Sequence, residues 1–211
     1  MVMMHSTAYK LSEFFIIFIL VPVSFVLDFS IWIKLTVSII GFLYIIYVLL
    51  KIENKRLKLA KHINWNIFFK NTMLKLLVIV IITVAFVFFF DKANLFKVLI
   101  NKPLKWVVLL FIYSIFSVYP QELIFRTFYF SRYDSLFQNK KVFLFINAVV
   151  FSLAHLFFRN ALVIILTFLG GLLFAFTYKK TKSTLLVTIE HAIYGCWLFT
   201  VGMGDMLGFP S

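Results

Sequence analysis

Apolar runs long enough to cross a lipid bilayer recur along almost the whole chain. A helix needs about 20 apolar residues to cross the roughly 30 Å hydrocarbon layer. Such runs occupy residues 14–33, 35–50, 76–90, 106–130, 142–158, 161–178 and 184–202. Hydrophobic residues make up 63% of the sequence, which is more apolar surface than one water-soluble core could bury. The sequence therefore predicts an all-α polytopic transmembrane helix bundle of about seven spans, within a range of six to eight.

The basic residues lie mainly in the short segments between these runs. The formal net charge is +13, which in a water-soluble protein would suggest a nucleic-acid partner. In a membrane protein, Lys and Arg instead concentrate on the cytoplasmic side, and this rule favours a cytoplasmic N-terminus and an external C-terminus. We therefore expect membrane lipid and no nucleic acid as a partner. The residues then predicted to lie inside include Lys51, Lys55, Arg56, Lys58, Lys61, Lys70, Lys75, Arg132, Lys140 and Lys141.

The longest polar segment, residues 51–75, is a basic linker. It could be a solvated loop or an interfacial helix against anionic headgroups. Glu13 and the lack of a small-residue cleavage pattern favour a retained first span over a signal peptide. Cys196 is the only cysteine, so the chain cannot form an internal disulfide. The Phe- and Lys-rich composition favours the bacterial inner membrane as the location.

Five ionisable side chains lie inside the fourth, fifth and seventh apolar runs. A charged side chain at the bilayer centre costs about 2.5 to 3.5 kcal/mol on insertion scales, so each should have a partner or a function. Glu122 and Arg126 are four residues apart and could pair on one helix face, next to a helix kink expected at Pro120. The other three residues are His155, Glu190 and His191.

Two histidines and a carboxylate on three helices can serve two kinds of chemistry. A Glu can take a proton from water while an imidazole polarises or protonates a substrate amide. The same three side chains, Glu122, His155 and His191, could instead hold a divalent metal ion such as zinc. A structural reading is also open, because an intramembrane ion pair can simply join helices and a lone His can be an interhelical hydrogen bond.

Three segments resemble, in order, the EExxxR, FxxxH and HxxxN motifs of the CPBP family, also called the Abi or CAAX prenyl endopeptidase type 2 family. The resemblance extends over roughly residues 109–202 and includes a helix with Gly170 and Gly171. It aligns Glu122, Arg126, His155 and His191 with the second Glu, the Arg and the two His of the motifs. Gln121 stands where the family has its first, water-activating Glu, and Gly195 stands where it usually has Asn.

The resemblance implies an intramembrane endopeptidase that cleaves a membrane-associated peptide or protein, which in this family can be lipidated. Glu122, or Glu190 beside His191, would then act as the base, because the Gln121 amide cannot accept a proton. His155 and His191 would stabilise the oxyanion or bind a metal, and Arg126 would hold Glu122. On this basis we expect one membrane domain in which residues 1–105 supply N-terminal helices with the basic cytoplasmic linker and residues 106–211 form the catalytic core.

Two other functions are compatible with the sequence. The replacements at Gln121 and Gly195 favour an inactive family member that binds a membrane peptide or acts as a scaffold. The ionisable groups Glu122, His155 and Glu190 could alternatively relay protons in a small transporter. The chain shows no inverted repeat, which counts against the transporter.

Overall fold

A computed structural model describes residues 2–55 and 64–208. It contains seven helices that are long and apolar enough to cross a membrane, and no strand occurs within the described ranges. The all-α polytopic prediction is therefore confirmed. Arg56, Lys58 and Lys61 of the basic linker lie outside the described residues. The seven spans are Thr7–Ser24, Ile31–Ile52, Trp65–Phe90, Pro103–Leu136, Lys140–Phe158, Ala161–Thr181 and Thr184–Val201.

The break between the first two spans lies earlier than predicted. The apolar run of residues 14–33 contains the end of the first span and the beginning of the second, and the chain turns between Ser24 and Ile31. Ser30 caps the second span, because its side chain accepts the backbone N–H of Trp32. Asp28 lies in this turn, where a carboxylate can be hydrated. The prediction that the first span continues to Ile33 is wrong.

The chain divides into two compact units, which we describe separately. Unit 1 consists of Met1–Lys58 and Leu123–Lys179, and unit 2 of Leu59–Glu122 and Lys180–Ser211. The boundary between residues 122 and 123 lies within the fourth span. The predicted division of the chain near residue 105 stays a prediction.

Unit 1 is built around aromatic side chains and one buried ionic network. Phe18 is fully buried, and its ring contacts Phe125, Phe128, Tyr129 and Tyr133. Many of the 29 Phe residues of the sequence are therefore packing residues and not part of a cofactor site.

The ionic network of unit 1 connects the first, second and fourth spans. Arg132 has no exposed surface, and its guanidinium binds Glu13 Oε2 at 2.6 Å and Glu53 Oε1 at 2.9 Å. Tyr133 donates to the same Glu13 oxygen at 3.1 Å, and the Tyr44 hydroxyl donates to Oε1 of Glu13. Glu13, the residue that argues against a signal peptide, thus neutralises the buried Arg132.

Unit 2 consists of the third span, the first part of the fourth span and the seventh span. Polar side chains connect them: the Trp197 indole donates to Thr83 Oγ1 at 2.8 Å, and the Trp106 indole donates to Thr200 Oγ1 at 3.0 Å. The seventh span ends at Gly202, whose φ of +101° lies in the left-handed region. A side chain there would collide with the backbone oxygen of Asn94, so both conformation and space require glycine.

Apolar side chains remain exposed along the spans. The exposed fraction is 79% for Phe89 in the third span, 71% for Phe116 and 62% for Phe111 in the fourth, and 59% for Ile39 in the second. Such a surface is unfavourable in water but matches hydrocarbon. The chain is therefore an integral membrane protein.

Candidate active site

The centre of the candidate site is a contact between a carboxylate and an imidazole in unit 2. Glu122 is fully buried and His191 is 6% exposed, and Glu122 Oε1 lies 2.7 Å from His191 Nδ1. An ionised carboxylate can only accept a hydrogen bond, so the Nδ1–H of His191 donates to it. This contact fixes the orientation of the imidazole. Two of the predicted site residues are thus brought together by the fourth and seventh spans.

Tyr113 lies on the other side of the His191 ring. Its hydroxyl is 3.3 Å from His191 Nε2. In the neutral imidazole that donates through Nδ1, Nε2 is an acceptor, so the phenol is the donor in this contact. His191 is therefore held between a carboxylate and a phenol, both from the fourth span.

A local change in helix type allows Tyr113 and Glu122 to reach the same imidazole. The two residues are nine positions apart, which on a regular α-helix would separate their directions by about 180°. The segment Tyr113–Val118 is a π-helix, in which the Tyr119 N–H donates to the Ser114 carbonyl. One extra residue in a turn rotates the following side chains by about 100°, which reduces the separation to about 80°. Pro120 follows at once and lacks the N–H that a regular turn needs.

Gln121 is bound to its own helix. Its Nε2 donates to Ser117 Oγ at 2.8 Å, and its Oε1 is buried without a hydrogen-bond partner within the described part of the chain. The amide can therefore still accept one hydrogen bond, for example from water, but it cannot take a proton.

Glu190, the second carboxylate proposed as a base, has different partners. It is fully buried, and its Oε1 lies 2.6 Å from Lys75 Nζ and 3.0 Å from the Tyr194 hydroxyl. Tyr194 also lies 3.2 Å from the Thr72 carbonyl. These contacts join the third and seventh spans through an ion pair. Of the two carboxylates, Glu122 is the one in contact with His191.

Arg126 is buried in unit 1 among polar and aromatic groups. Its Nη1 donates to Asn147 Oδ1 at 2.9 Å, and its Nη2 lies 3.4 Å from the Gly171 carbonyl. The guanidinium carbon lies 4.8 Å from the centre of the Phe151 ring, a cation–π geometry. Arg126 therefore connects the fourth, fifth and sixth spans of unit 1, and its predicted pairing with Glu122 stays a prediction.

His155 also belongs to unit 1. It lies two residues after the end of the α-helix Lys140–Leu153, and its Nδ1 lies 2.8 Å from the Phe151 carbonyl. A carbonyl only accepts, so this Nδ1 carries the proton and the neutral ring has an accepting Nε2. Its ring contacts Phe151 edge-on at 5.0 Å between centres. The sequence did not predict this turn at the helix end.

The residues of the site provide few metal ligands. No group of three or more His, Cys, Asp or Glu side chains that could hold a metal ion occurs among residues 2–55 and 64–208. A catalytic zinc site usually has three protein ligands. In unit 2, the Nδ1 of His191 and Oε1 of Glu122 face each other at hydrogen-bonding distance. These two side chains supply one imidazole and one carboxylate, so the predicted metal set of Glu122, His155 and His191 stays a prediction, and we derive no step through a metal ion.

Sequence reasoning missed three polar residues of these sites. Nothing in the sequence distinguishes Tyr113 among the 9 Tyr residues, because its contact with His191 depends on the π-helical turn. Asn147 could have been found, since it is a strongly polar side chain inside an apolar run. Lys75 stands next to the predicted third run and was assigned to the linker, whereas it lies within the third span and pairs with Glu190.

Comparison with known proteins agrees with the motifs. Residues 103–197, just under half of the chain, match the family model "Type II CAAX prenyl endopeptidase Rce1-like". The matched range contains Gln121, Glu122, Arg126, His155 and His191. No curated protein and no solved structure gives a significant match to the chain. Residues 103–197 are therefore similar to the type II CAAX prenyl endopeptidase, or CPBP, family of intramembrane proteases.

Proposed function

We propose that the protein is an active intramembrane endopeptidase that hydrolyses a peptide bond in a membrane-associated, prenylated peptide. The observation that carries the proposal is the 2.7 Å contact between the buried Glu122 carboxylate and His191. A buried carboxylate oriented by an imidazole is suited to general-base catalysis. The family match supports a peptide bond as the target.

In the proposed reaction, Glu122 takes a proton from water while the water oxygen attacks the scissile carbonyl carbon. The negative charge that develops on the carbonyl oxygen is stabilised by hydrogen-bond donors. Glu122 then returns the proton to the departing nitrogen, the C–N bond breaks, and a carboxylic acid and an amine are released. His191 keeps the Glu122 carboxylate in position through its Nδ1–H. Gln121 assists by accepting a hydrogen bond from the water.

Two further residues complete the proposal. His155 is assigned the role of an additional polar group for the substrate carbonyl, and Arg126 the role of a positioning residue for the helix that carries Glu122. The proposed location is the bacterial cell membrane with a cytoplasmic N-terminus and an external C-terminus. Because Glu122 has no exposed surface, a movement of the surrounding helices has to admit water and substrate.

The decisive experiment replaces Glu122 by Gln. The purified full chain is reconstituted in proteoliposomes with a quenched-fluorescent peptide that ends in a farnesylated CAAX sequence. Removing a general base lowers the rate by about 10²- to 10⁴-fold, so we expect kcat to decrease by that factor in E122Q. D134N is the matched control, because Asp134 is a half-exposed carboxylate that pairs with Lys140. Equal cleavage by the wild type and E122Q would refute the proposed role of Glu122.

The second candidate function is an inactive family member that binds a membrane peptide. Its support is Gln121, whose amide is tied to Ser117 at a position where the family has a base. Q121E distinguishes the two functions in the same assay. Cleavage by Q121E but not by the wild type would identify the natural chain as a binding protein. Cleavage by the wild type rejects that alternative.

A further inference from the structure

We propose that the Tyr113 hydroxyl takes the place of the missing motif amide at Gly195 and donates a hydrogen bond to the developing oxyanion. This inference rests on the proposed function and assigns a catalytic donor to the same site. The three residues involved, Tyr113, His191 and Gly195, belong to two helices of unit 2.

The space that a side chain at position 195 would need is filled by Tyr113. A Cβ atom built on Gly195 would overlap the Tyr113 hydroxyl oxygen and would lie 2.6 Å from Cζ of the same ring. Real Cβ atoms do not approach other atoms this closely. Gly195 and Tyr113 are therefore complementary: the chain can have a side chain at position 195 or the phenol at this place, but not both.

The position of the hydroxyl is defined by its neighbours. The hydroxyl lies 3.3 Å from Nε2 of His191, and His191 is one helical turn away from Gly195 in the seventh span. The Tyr113 ring also packs edge-on against Phe199, with 5.0 Å between ring centres. His191 lies one turn before Gly195 and Phe199 one turn after it, so the ring follows one face of the seventh span.

The chemistry of a phenol suits this role. An Asn side chain would offer an N–H donor, and a Tyr hydroxyl offers an O–H donor in a similar place. In the resting state the O–H is directed to His191 Nε2. When the scissile carbonyl becomes an oxyanion, it is a stronger acceptor than the imidazole, and the O–H can turn to it. The hydroxyl remains protonated throughout, so no proton is gained or lost.

The experiment compares Tyr113→Phe with Tyr119→Phe in the proteoliposome assay. Both changes remove one hydroxyl from the fourth span, but Tyr119 is 41% exposed and serves as the matched control. Loss of one oxyanion donor lowers kcat by about 10²- to 10³-fold. We expect that decrease in kcat with KM nearly unchanged for Y113F, and wild-type values for Y119F.

Two further variants test the complementarity with Gly195. G195A should also lower kcat, because its Cβ displaces the phenol. The double variant Y113A/G195N removes the ring and adds an amide, and we expect it to be at least about 10-fold more active than Y113A. Thermal unfolding in detergent identifies any variant that fails to fold.

The outcomes separate this inference from the proposed function. If the wild type cleaves, E122Q does not and Y113F keeps the wild-type kcat, the role of Tyr113 is refuted while the proposed function stands. A change in KM alone would also refute the role of Tyr113, because that result would indicate that the hydroxyl contributes to substrate binding. If the wild type cleaves no peptide, both are overturned.

Discussion

At the scale of single residues, the arginines buried in unit 1 are held by hydrogen bonds to other polar groups. Arg126 shows this for a cation, since Asn147 accepts from its guanidinium at 2.9 Å. Asn147 is fully buried and also donates to the Phe125 carbonyl at 2.7 Å. It therefore serves both the arginine and the backbone beside it. Removing one member of such a network leaves buried groups that lack a hydrogen bond.

This network predicts the effect of Asn147→Ala. We expect the free energy of unfolding to fall by about 2 kcal/mol, because Arg126 and the Phe125 carbonyl each lose a hydrogen bond in a buried place. For a chain of this size the Tm in detergent should decrease by about 4 to 8 °C. Asn101→Ala is the control, since Asn101 is exposed. An unchanged Tm in N147A would show that the network contributes nothing to stability.

At the scale of helices, the close approach of two spans depends on glycine. Gly171 in the sixth span faces Ala148 of the fifth span within unit 1. A Cβ at position 171 would lie 3.0 Å from the Ala148 Cα and 3.2 Å from the Phe151 ring. Small residues allow helices in membranes to pack through van der Waals contacts. The same close approach brings the Gly171 carbonyl within reach of Arg126.

The effect of Gly171→Ala follows from this packing. The added methyl group has to push apart two backbones, and overpacking of this kind costs about 1 to 3 kcal/mol. We expect a lower Tm in detergent for G171A. Gly41 provides a matched control, because a Cβ there would meet no atom within 4 Å. G41A should keep or slightly raise the Tm, since Ala is the better helix former by up to about 1 kcal/mol. Equal Tm changes in the two variants would contradict this explanation.

At the scale of the whole molecule, the order of spans and basic segments predicts the orientation in the membrane. With a cytoplasmic N-terminus, the segment before the fourth span is outside and the segment before the fifth is inside. Lys102 lies in the first of these segments and Lys141 at the beginning of the fifth span, and both are exposed. They are therefore suitable positions for labelling from one side.

Single cysteines at positions 102 and 141 test the orientation. In a chain that carries C196A, we expect a membrane-impermeant maleimide to label K102C in intact spheroplasts. K141C should be labelled only after the membrane has been permeabilised. The chain with C196A alone is the control for background labelling. The reverse pattern would show that the N-terminus is outside and would overturn the positive-inside assignment.

Several features followed from the sequence alone. Seven spans could be predicted, because the length of an apolar run needed to cross the bilayer is fixed by its thickness. The candidates Glu122, Arg126, His155 and His191 could be found because ionisable groups are costly in lipid. The three motifs indicated the family whose model residues 103–197 match.

Other features were decided only by the tertiary structure. The sequence favoured Glu122 as the base and left Glu190 as an alternative. Only the packing of helices that are distant in sequence showed that Glu122 contacts His191 and that Glu190 pairs with Lys75. It could not assign a role to Tyr113, because a π-helical turn changes the direction of each following side chain without a unique local signal. The position and length of each span follow from the hydrophobicity of its own residues. The partners of a polar side chain depend instead on which helix faces pack against each other.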